Sequence, residues 1–280
     1  MLVAKPAGPT SHDVVDIVRR ALGEKRVGHL GTLDPFAKGL LVLVVGRATR
    51  LATFAAEWPK SYDGVIRLGV TTDTDDATGT VVATAPWTEI TPARLAEVIA
   101  RFRGGYEQRP PAYSAVKIEG ERAYRRARRG ETVEPAARSV EIRELEIVEA
   151  AVPDLEFRAT VSGGTYLRSL ARDIGAALGC GAHLSALRRT RVGPLRLEDA
   201  VAPEAVTRGA LRDASVLVAH LPRRELSAAE ADAVRHGRAI KSEPMTDDPR
   251  PVTLFAGTEL LAVAEFVDGQ LKPRVVVAED

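Results

Sequence analysis

Six apolar residues in a row, Leu40 to Val45, constrain this chain more than any other stretch. The run is short and partly β-branched, so it reads as a buried strand. Just ahead of it lies GHLGTLDPFAKG, residues 28–39. A residue before proline is pushed out of the helical region. Asp34, which precedes Pro35, is therefore expected on a rigid turn. Gly28, His29 and Gly31 lie just upstream and Gly39 leads into the apolar run. The result is one acid on a glycine-lined loop that enters the core. Loops on rigid scaffolds are where function tends to sit.

As a whole, the 280-residue chain has the composition of an ordinary globular protein, with 45% hydrophobic and 28% charged residues. That length suggests one large domain or one and a half. The net charge of +1 carries no hint of nucleic acid, but its distribution does. Lys117–Gly130 holds six basic and two acidic residues, and Arg168–Arg196 holds six arginines and one acid. Such patches attract phosphate backbones, although charge alone fits a solvated helix face equally well. Cys180 is the only cysteine, which excludes a disulfide within the chain and a cysteine metal cluster. No signal peptide is visible, and no apolar run approaches the roughly 20 residues of a membrane span. The expectation is a cytoplasmic protein without a membrane partner.

Along the chain, Met1–Ala4 reads as an edge strand. Thr10 or Ser11 caps a helix that Gly23 ends. Ala48–Ala56 reads as a short helix. Ser61–Val70 and Thr80–Ala85 read as a strand pair joined by the polar turn Thr71–Gly79. That turn resembles the start of a calcium loop, but Thr78 and Thr84 stand where glycine and glutamate are needed. Thr91–Phe102 is a helix with Pro92 at its first position. Gly104–Val116 reads as an extended proline-rich loop, followed by a basic helix over Arg122–Arg129. Glu141–Ala150 and Leu155–Ser162 alternate as strands. Thr165–Leu178 is a helix stopped by Gly179, Leu184–Arg191 is short and basic, and Leu197–Leu221 reads as helical. Beyond Pro222 come one helix, Leu226–His236, and a strand-rich tail, Pro251–Val277, that together look like a separate β module.

Few residues stand out for chemistry. Asp34 fits either a turn acid or a functional carboxylate. His29 lacks the nucleophile context, such as G-x-S-x-G, that a catalytic base would serve. Stacking on a base, orienting a backbone or simple burial remain open for it. Tyr62 starts a strand. Tyr166 and Arg168 follow Gly163-Gly164, where a helix start offers an anion site. An arginine there could pair with Asp34 and lower its pKa. No H-E-x-x-H, C-x-x-C, P-loop or G-x-G-x-x-G occurs, so nothing argues for a metal, cofactor or redox step.

At this point GHLGTLDPFAKGLLVLVVGRATR resembles the central motif of the TruB family of tRNA pseudouridine synthases. KPAGPTSHDVV resembles that family's opening motif and KSYDGVIRLGVTTDTDDATG its second. RPPAYSAVKIEGERAYRRARRG is similar to its proline-rich stretch and thumb loop. SGGTYLRSLARDIGAALGCGAHLSALRRTRVG is similar to its third block. The five motifs run in order over residues 5–193. Ala4, where the family has an acid, and Pro9, where methionine is common, depart from the pattern.

The resemblance implies an α/β (α+β) pseudouridine synthase fold: a central mixed β-sheet flanked by helices, plus a small C-terminal PUA-like β module. It implies a catalytic domain over 1–222, with a thumb-like RNA-binding insertion at about 107–138, and an RNA-binding module over 223–280. It implies cofactor-free isomerisation of a T-loop uridine of tRNA, position 55, by a monomer with tRNA as its partner. It assigns Asp34 as the essential acid, Tyr62 and Arg168 as active-site partners, and His29 as a stacking residue. Tyr166 and Leu187 become pocket residues, and Lys5 a support of the active-site loop. Arg125, Arg126, Arg128 and Arg129 become the clamp on RNA. Three rivals are a non-catalytic RNA-binding protein, a guide-RNA-dependent synthase of the dyskerin type, and a glycoside hydrolase. The second is disfavoured by a short chain without basic extensions. The third needs a second facing carboxylate, and none stands out in the motifs.

Overall fold

The computed structural model describes residues 1–114, 116–118, 120–243 and 250–278. Its elements in chain order are β1 (Leu2–Lys5), α1 (Ser11–Leu22), β2 (Val27–His29), β3 (Lys38–Val45), β4 (Lys60–Leu68), β5 (Val70–Thr72) and β6 (Val81–Thr84). There follow α2 (Pro92–Arg101), β7 (Gly104–Gln108), the small hairpin β8 (Lys117–Ile118) and β9 (Glu121–Arg122), and α3 (Ala123–Arg128). Then come β10 (Arg138–Ala151), β11 (Asp154–Val161), α4 (Leu167–Leu178), β12 (Ala182–Val192) and β13 (Leu195–Arg196). The last elements are β14 (Arg223–Glu225), α5 (Ala228–Arg235), β15 (Ile240–Lys241), β16 (Val252–Ala256), β17 (Glu259–Val267) and β18 (Gln270–Val276).

The main sheet runs β1-β3-β12-β4-β11-β10-β7, with β2 on β3 and β13 on β12. Only the β3–β12 pair is parallel, so the sheet is mixed. The apolar run is continuous because β3 is covered on both sides. Leu41 and Leu43 pack with Val14, Val15 and Val18 of α1. Leu40, Val42 and Val44 face a second cluster that includes Leu51, Leu217, Phe255 and Val263. Farther along the sheet, α2 and α4 cover Ile66, Leu155 and Phe157. Helix α1 starts where the sequence predicts. The Thr10 hydroxyl accepts from Asp13 N–H at 3.1 Å, and the Asp13 carboxylate accepts from Thr10 N–H at 2.8 Å. Such a cap contributes about 1 kcal/mol.

Several expectations are corrected. Leu197–Leu221 is not a helix but four short 3₁₀ turns, at Leu197–Asp199, Pro203–Ala205, Arg208–Ala210 and Ala214–Val218. Pro203, Gly209 and the Asp213 cap interrupt it every few residues. Gly46–Ala55 is likewise 3₁₀. The start of the proline-rich stretch is a strand, β7, paired with β10. The basic helix is confined to α3, because Lys117–Ile118 pairs with Glu121–Arg122 first. Leu184–Arg191 is the core of β12, at the centre of the sheet. The C-terminal sheet, ordered β14-β16-β17-β18-β15, has its own core around Leu254, Leu261 and Leu271. Yet its Phe255, Leu260, Val263 and Val275 share a cluster with β1, β3 and β12-flanking residues, so it is not a detached module. Among the described residues no helix is long and apolar enough to cross a membrane.

Gly39 shows how tightly β3 meets β12. Its φ is +111°, and an added Cβ would lie 2.3 Å from the Arg189 carbonyl oxygen. Gly104, at φ +88°, has open space around the same position. Gly39→Ala should therefore cost roughly 2–4 kcal/mol, combining strain with overpacking. Gly104→Ala should cost about 1–2 kcal/mol, from backbone strain alone. Urea denaturation of both variants checks the difference.

Candidate active site

The loop that carries Asp34 is stapled by three side chains from three elements. From β1, Lys5 Nζ donates to the carbonyls of Ala37 (2.7 Å), Pro6 (2.9 Å) and Pro35 (3.4 Å). From the start of α1, Ser11 Oγ donates to Leu33 O at 3.0 Å and accepts from Leu33 N at 2.8 Å. From β12, Arg189 donates to Leu40 O (2.8 Å), Gly31 O (3.0 Å) and Thr32 O (3.4 Å). All three are almost fully buried. A loop pinned at Gly31, Thr32, Leu33, Pro35, Ala37 and Leu40 leaves Asp34 one place to stand.

Arg168, on the first turn of α4 and 4% exposed, closes on that acid. Its Nε lies 2.9 Å from Asp34 Oδ2, and its Nη2 donates to Asp34 Oδ1 at 3.2 Å. The Nη2 contact is a charge-assisted hydrogen bond, whereas the Nε–H is not aimed at Oδ2 and adds only charge attraction at close range. The same guanidinium donates to Thr74 O and Tyr113 O, both at 2.9 Å, and lies 3.6 Å from Asp76 Oδ2. Asp76 is held by Thr74 Oγ1 (2.8 Å), Thr78 N (2.9 Å) and Thr78 Oγ1 (2.6 Å). The polar turn between β5 and β6 is therefore no mere hairpin end; it brings a second carboxylate to Arg168.

The sign of the Asp34 shift corrects the sequence expectation. Burial pushes its carboxyl above the ordinary aspartate range, Arg168 pulls it down, and Asp76 pushes it up again. Arg168 thus offsets desolvation rather than lowering the net value. About a third of the Asp34 side chain stays open, so the acid is reachable.

That opening is a cleft of about 230 Å³. Tyr62 from β4, Leu187 from β12, and Tyr166 and Arg168 from the start of α4 all line it with Asp34. Tyr166 is clamped by Gln108 at the end of β7, whose Oε1 accepts from Tyr166 N (2.8 Å) and whose Nε2 donates to Tyr166 O (3.1 Å). Its Arg138 neighbour lies over the Tyr166 ring, 4.8 Å from the centroid. Ser114 Oγ and Arg138 Nε, both in cleft-lining residues, are buried without a partner.

The other predicted residues stand elsewhere. Lys5 lies behind the loop. His29 ends β2, two residues before the cleft-lining Gly31, and burial lowers its pKa. Arg125 and Arg129 are exposed on and just after α3, with Arg126 partly covered; the Arg128 side chain lies outside the described residues. Arg126 pairs with Glu131 at 2.8 Å, and Arg129 pairs with Glu121 at 2.6 Å and with Glu131. The anion site expected at Gly163-Gly164 is not a free helix start. The helix begins at Leu167, and the N–H groups of Thr165 and Tyr166 are taken by Ser162 and Gln108. Sequence reasoning missed Lys60, Asp76, Gln108 and Arg189. Only Asp76 had a signal, an acid in a turn that bound no calcium. Among the described residues no cluster of three or more His, Cys, Asp or Glu could hold a metal.

Comparison with known proteins bears on this arrangement. Residues 19–167 match the TruB family pseudouridylate synthase N-terminal domain, and residues 168–227 match the tRNA pseudouridylate synthase B C-terminal domain. The chain is 47% identical to tRNA pseudouridine synthase B of Thermobifida fusca (strain YX), over 99% of this chain and 98% of that one. It is 42% identical to the protein of the same name from Azoarcus sp. (strain BH72), over 99% and 94%. Among solved structures it is similar to a chain of an H/ACA RNP bound to a substrate RNA containing 2'-deoxyuridine, with a TM-score of 0.73 and 23% identity over 99% of this chain and 85% of that one. A Cbf5-Nop10-Gar1 complex contains another similar chain, with a TM-score of 0.70 and 27% identity over 100% and 84%.

The opposing influences on Asp34 separate by mutation. Arg168→Met removes the group that lowers its pKa, so the Asp34 carboxyl should titrate at still higher pH. Asp76→Asn removes a group that raises it, so the titration should move down. Carboxyl-carbon NMR through a pH series checks both signs, and two shifts in one direction would refute the balance.

Proposed function

The chain belongs to the TruB family of pseudouridylate synthases, which are isomerases, and from that premise we propose that it converts the uridine at position 55 in the T-loop of tRNA to pseudouridine. The observation that carries the reading is the ion pair of the buried Arg168 with an Asp34 that still opens to the cleft.

The chemistry asks little beyond such a site. The uracil leaves C1′ through N1, turns, and rejoins through C5, while the C5 proton is lost and N1 gains one. Both bonds are to one sugar, so no second substrate is needed. A base stacked in RNA cannot turn, so it must be flipped into the cleft at a cost of a few kcal/mol. Asp34, as a carboxylate, starts the reaction either by attack at C1′ or by taking the 2′ proton. Arg168 holds it charged and aimed. Tyr62 packs on the uracil and stands where the C5 proton is removed. Leu187, 8% exposed, walls the intermediate from water. Tyr166, fixed by Gln108, supplies the facing wall. A residue that fills the place a flipped base vacates belongs outside the pocket. The position of His29 outside the cleft wall, with an uncharged ring, suits that role, which returns about 1–3 kcal/mol by stacking.

We assign the 107–138 insertion as the grip on tRNA and residues 223–280 as a PUA-like RNA-binding element docked on the catalytic domain. The curated relatives of 41–47% identity are named for tRNA, whereas the RNP proteins stand at 23–27%, which favours tRNA over a guide-RNA assembly. A glycoside hydrolase would need an acid facing Asp34 across the substrate. Asp76 lies behind Arg168 instead, paired to it.

Carbodiimide labelling of a T-arm transcript tests the reading. Wild type should produce one labelled position. Asp34→Asn should lose more than about 10²-fold in rate while still binding the transcript. Near wild-type turnover in that variant would reject the assignment. Replacing Arg125, Arg126 and Arg129 by glutamine should weaken binding and flatten its log–log salt slope by up to about 2, at roughly 0.7 per phosphate contact. An unchanged slope would make the patch a solvated face.

A further inference from the structure

The cleft is charged in a way that isomerising a neutral base does not require. Four cations line it, Lys60, Arg138, Arg168 and Arg189, against one acid, Asp34. Asp34 is already committed to Arg168. Among the described residues, the other three cations have no ion pair of their own within the cleft wall.

They also gather at one end. An added Cβ on Gly31 would lie 3.3 Å from Lys60 Cε and 3.6 Å from Arg189 Nη1, so both side chains flank one glycine. Lys60 Nζ donates to Trp58 O (2.8 Å) and Ala56 O (3.2 Å). The Cβ position of Gly163 is 2.9 Å from that same Ala56 oxygen. Arg138 donates to Gly164 O, the next residue. A chain of contacts thus joins Arg189, Lys60, the double-glycine rim and Arg138.

Their hydrogen-bonding capacity is unfilled. An ammonium has three N–H groups and a guanidinium five. Lys60 uses two, Arg189 uses three, and Arg138 keeps a buried Nε–H with no partner. All the acceptors of Lys60 and Arg189 are neutral carbonyls. Burial first, and the charge of Arg189 second, lower Lys60 to about 8. Glu57, exposed at the rim, is the one acid that opposes this. Buried like charges without a counter-ion are costly. They make sense if an anion arrives with the substrate.

We propose that Lys60, Arg189 and Arg138 form an anion subsite at the double-glycine end of the cleft, which takes the backbone phosphate next to the nucleotide flipped toward Asp34. The inference rests on the proposed RNA reading. A nucleotide carries a phosphate on each side of its sugar, so a flipped base brings one to the cleft mouth. Neutralising it there would anchor the sugar over Asp34. The thumb gives affinity along the RNA; this subsite gives register.

The test uses T-arm stem-loops with a single uncharged methylphosphonate, placed in turn at the linkages on either side of the target uridine and at a distant stem linkage. Binding is measured for the full-length wild type, Lys60→Met and Lys60→Arg. One target-adjacent methylphosphonate should weaken wild type and Lys60→Arg by about tenfold. Lys60→Met should be weaker on the parent RNA and lose less than about twofold more at that linkage. The distant linkage should cost all three proteins the same. Equal penalties in wild type and Lys60→Met at both adjacent linkages would overturn the proposal and leave Lys60 as a cap on Ala56 and Trp58. No penalty in wild type at either linkage would overturn it too. Failure of wild type to isomerise the parent stem-loop would defeat the proposed function separately, because the binding arms still decide whether a phosphate is held.

Discussion

One buried guanidinium organises the cleft. Arg168 ties Asp34 to Asp76, to a carbonyl of the β5–β6 turn and to a carbonyl of the insertion between β7 and β10. Four separate pieces of chain therefore meet at one side chain. A buried charge pair is weak evidence for stability, since desolvation consumes most of its attraction. Removing one partner is another matter, because it strands the other. The arrangement makes sense as pre-organisation. Burial pushes the Asp34 carboxyl up and Arg168 pulls against it.

That balance requires a loop that does not drift. Arg189, Ser11 and Lys5 hold its backbone at six residues, two of the side chains coming from strands of the main sheet and one from the start of α1. The parallel contact of β3 with β12 brings Arg189 beneath the loop, and Gly39 permits it. Tertiary packing, not local turn chemistry, sets the angle at which the acid is offered.

Much of this was legible beforehand. The Leu40–Val45 run, the caps at Thr10 and Thr91 and the stops at Gly23 and Gly179 are local signals, and the elements begin and end there. The resemblance placed Asp34, Tyr62, Tyr166, Arg168 and Leu187, and the fold gathers these five in one cleft. What was not legible depends on long-range contacts. Gln108 reads as one polar residue in a proline-rich stretch until β7 brings it to Tyr166. Arg189 reads as one of a basic run until β12 buries it. The false helix at Leu197–Leu221 had the apolar spacing of a helix but breakers too frequent to allow one.

The two basic regions now separate physically. On the insertion, Arg126 and Arg129 already face Glu121 and Glu131, so RNA must displace carboxylates to use them. An exposed pair of that kind is worth only about 0–1 kcal/mol, and the exchange is nearly free. Such a surface suits a grip that forms and lets go. In the cleft, Lys60 and Arg189 hydrogen-bond neutral carbonyls, and the carboxylate nearest this end, Glu57, stands exposed at the rim without a bond to either. An anion entering the cleft relieves repulsion instead of competing with an existing partner. Binding energy of that kind is realised only when the nucleotide is seated, so it favours the aligned complex over a loose one.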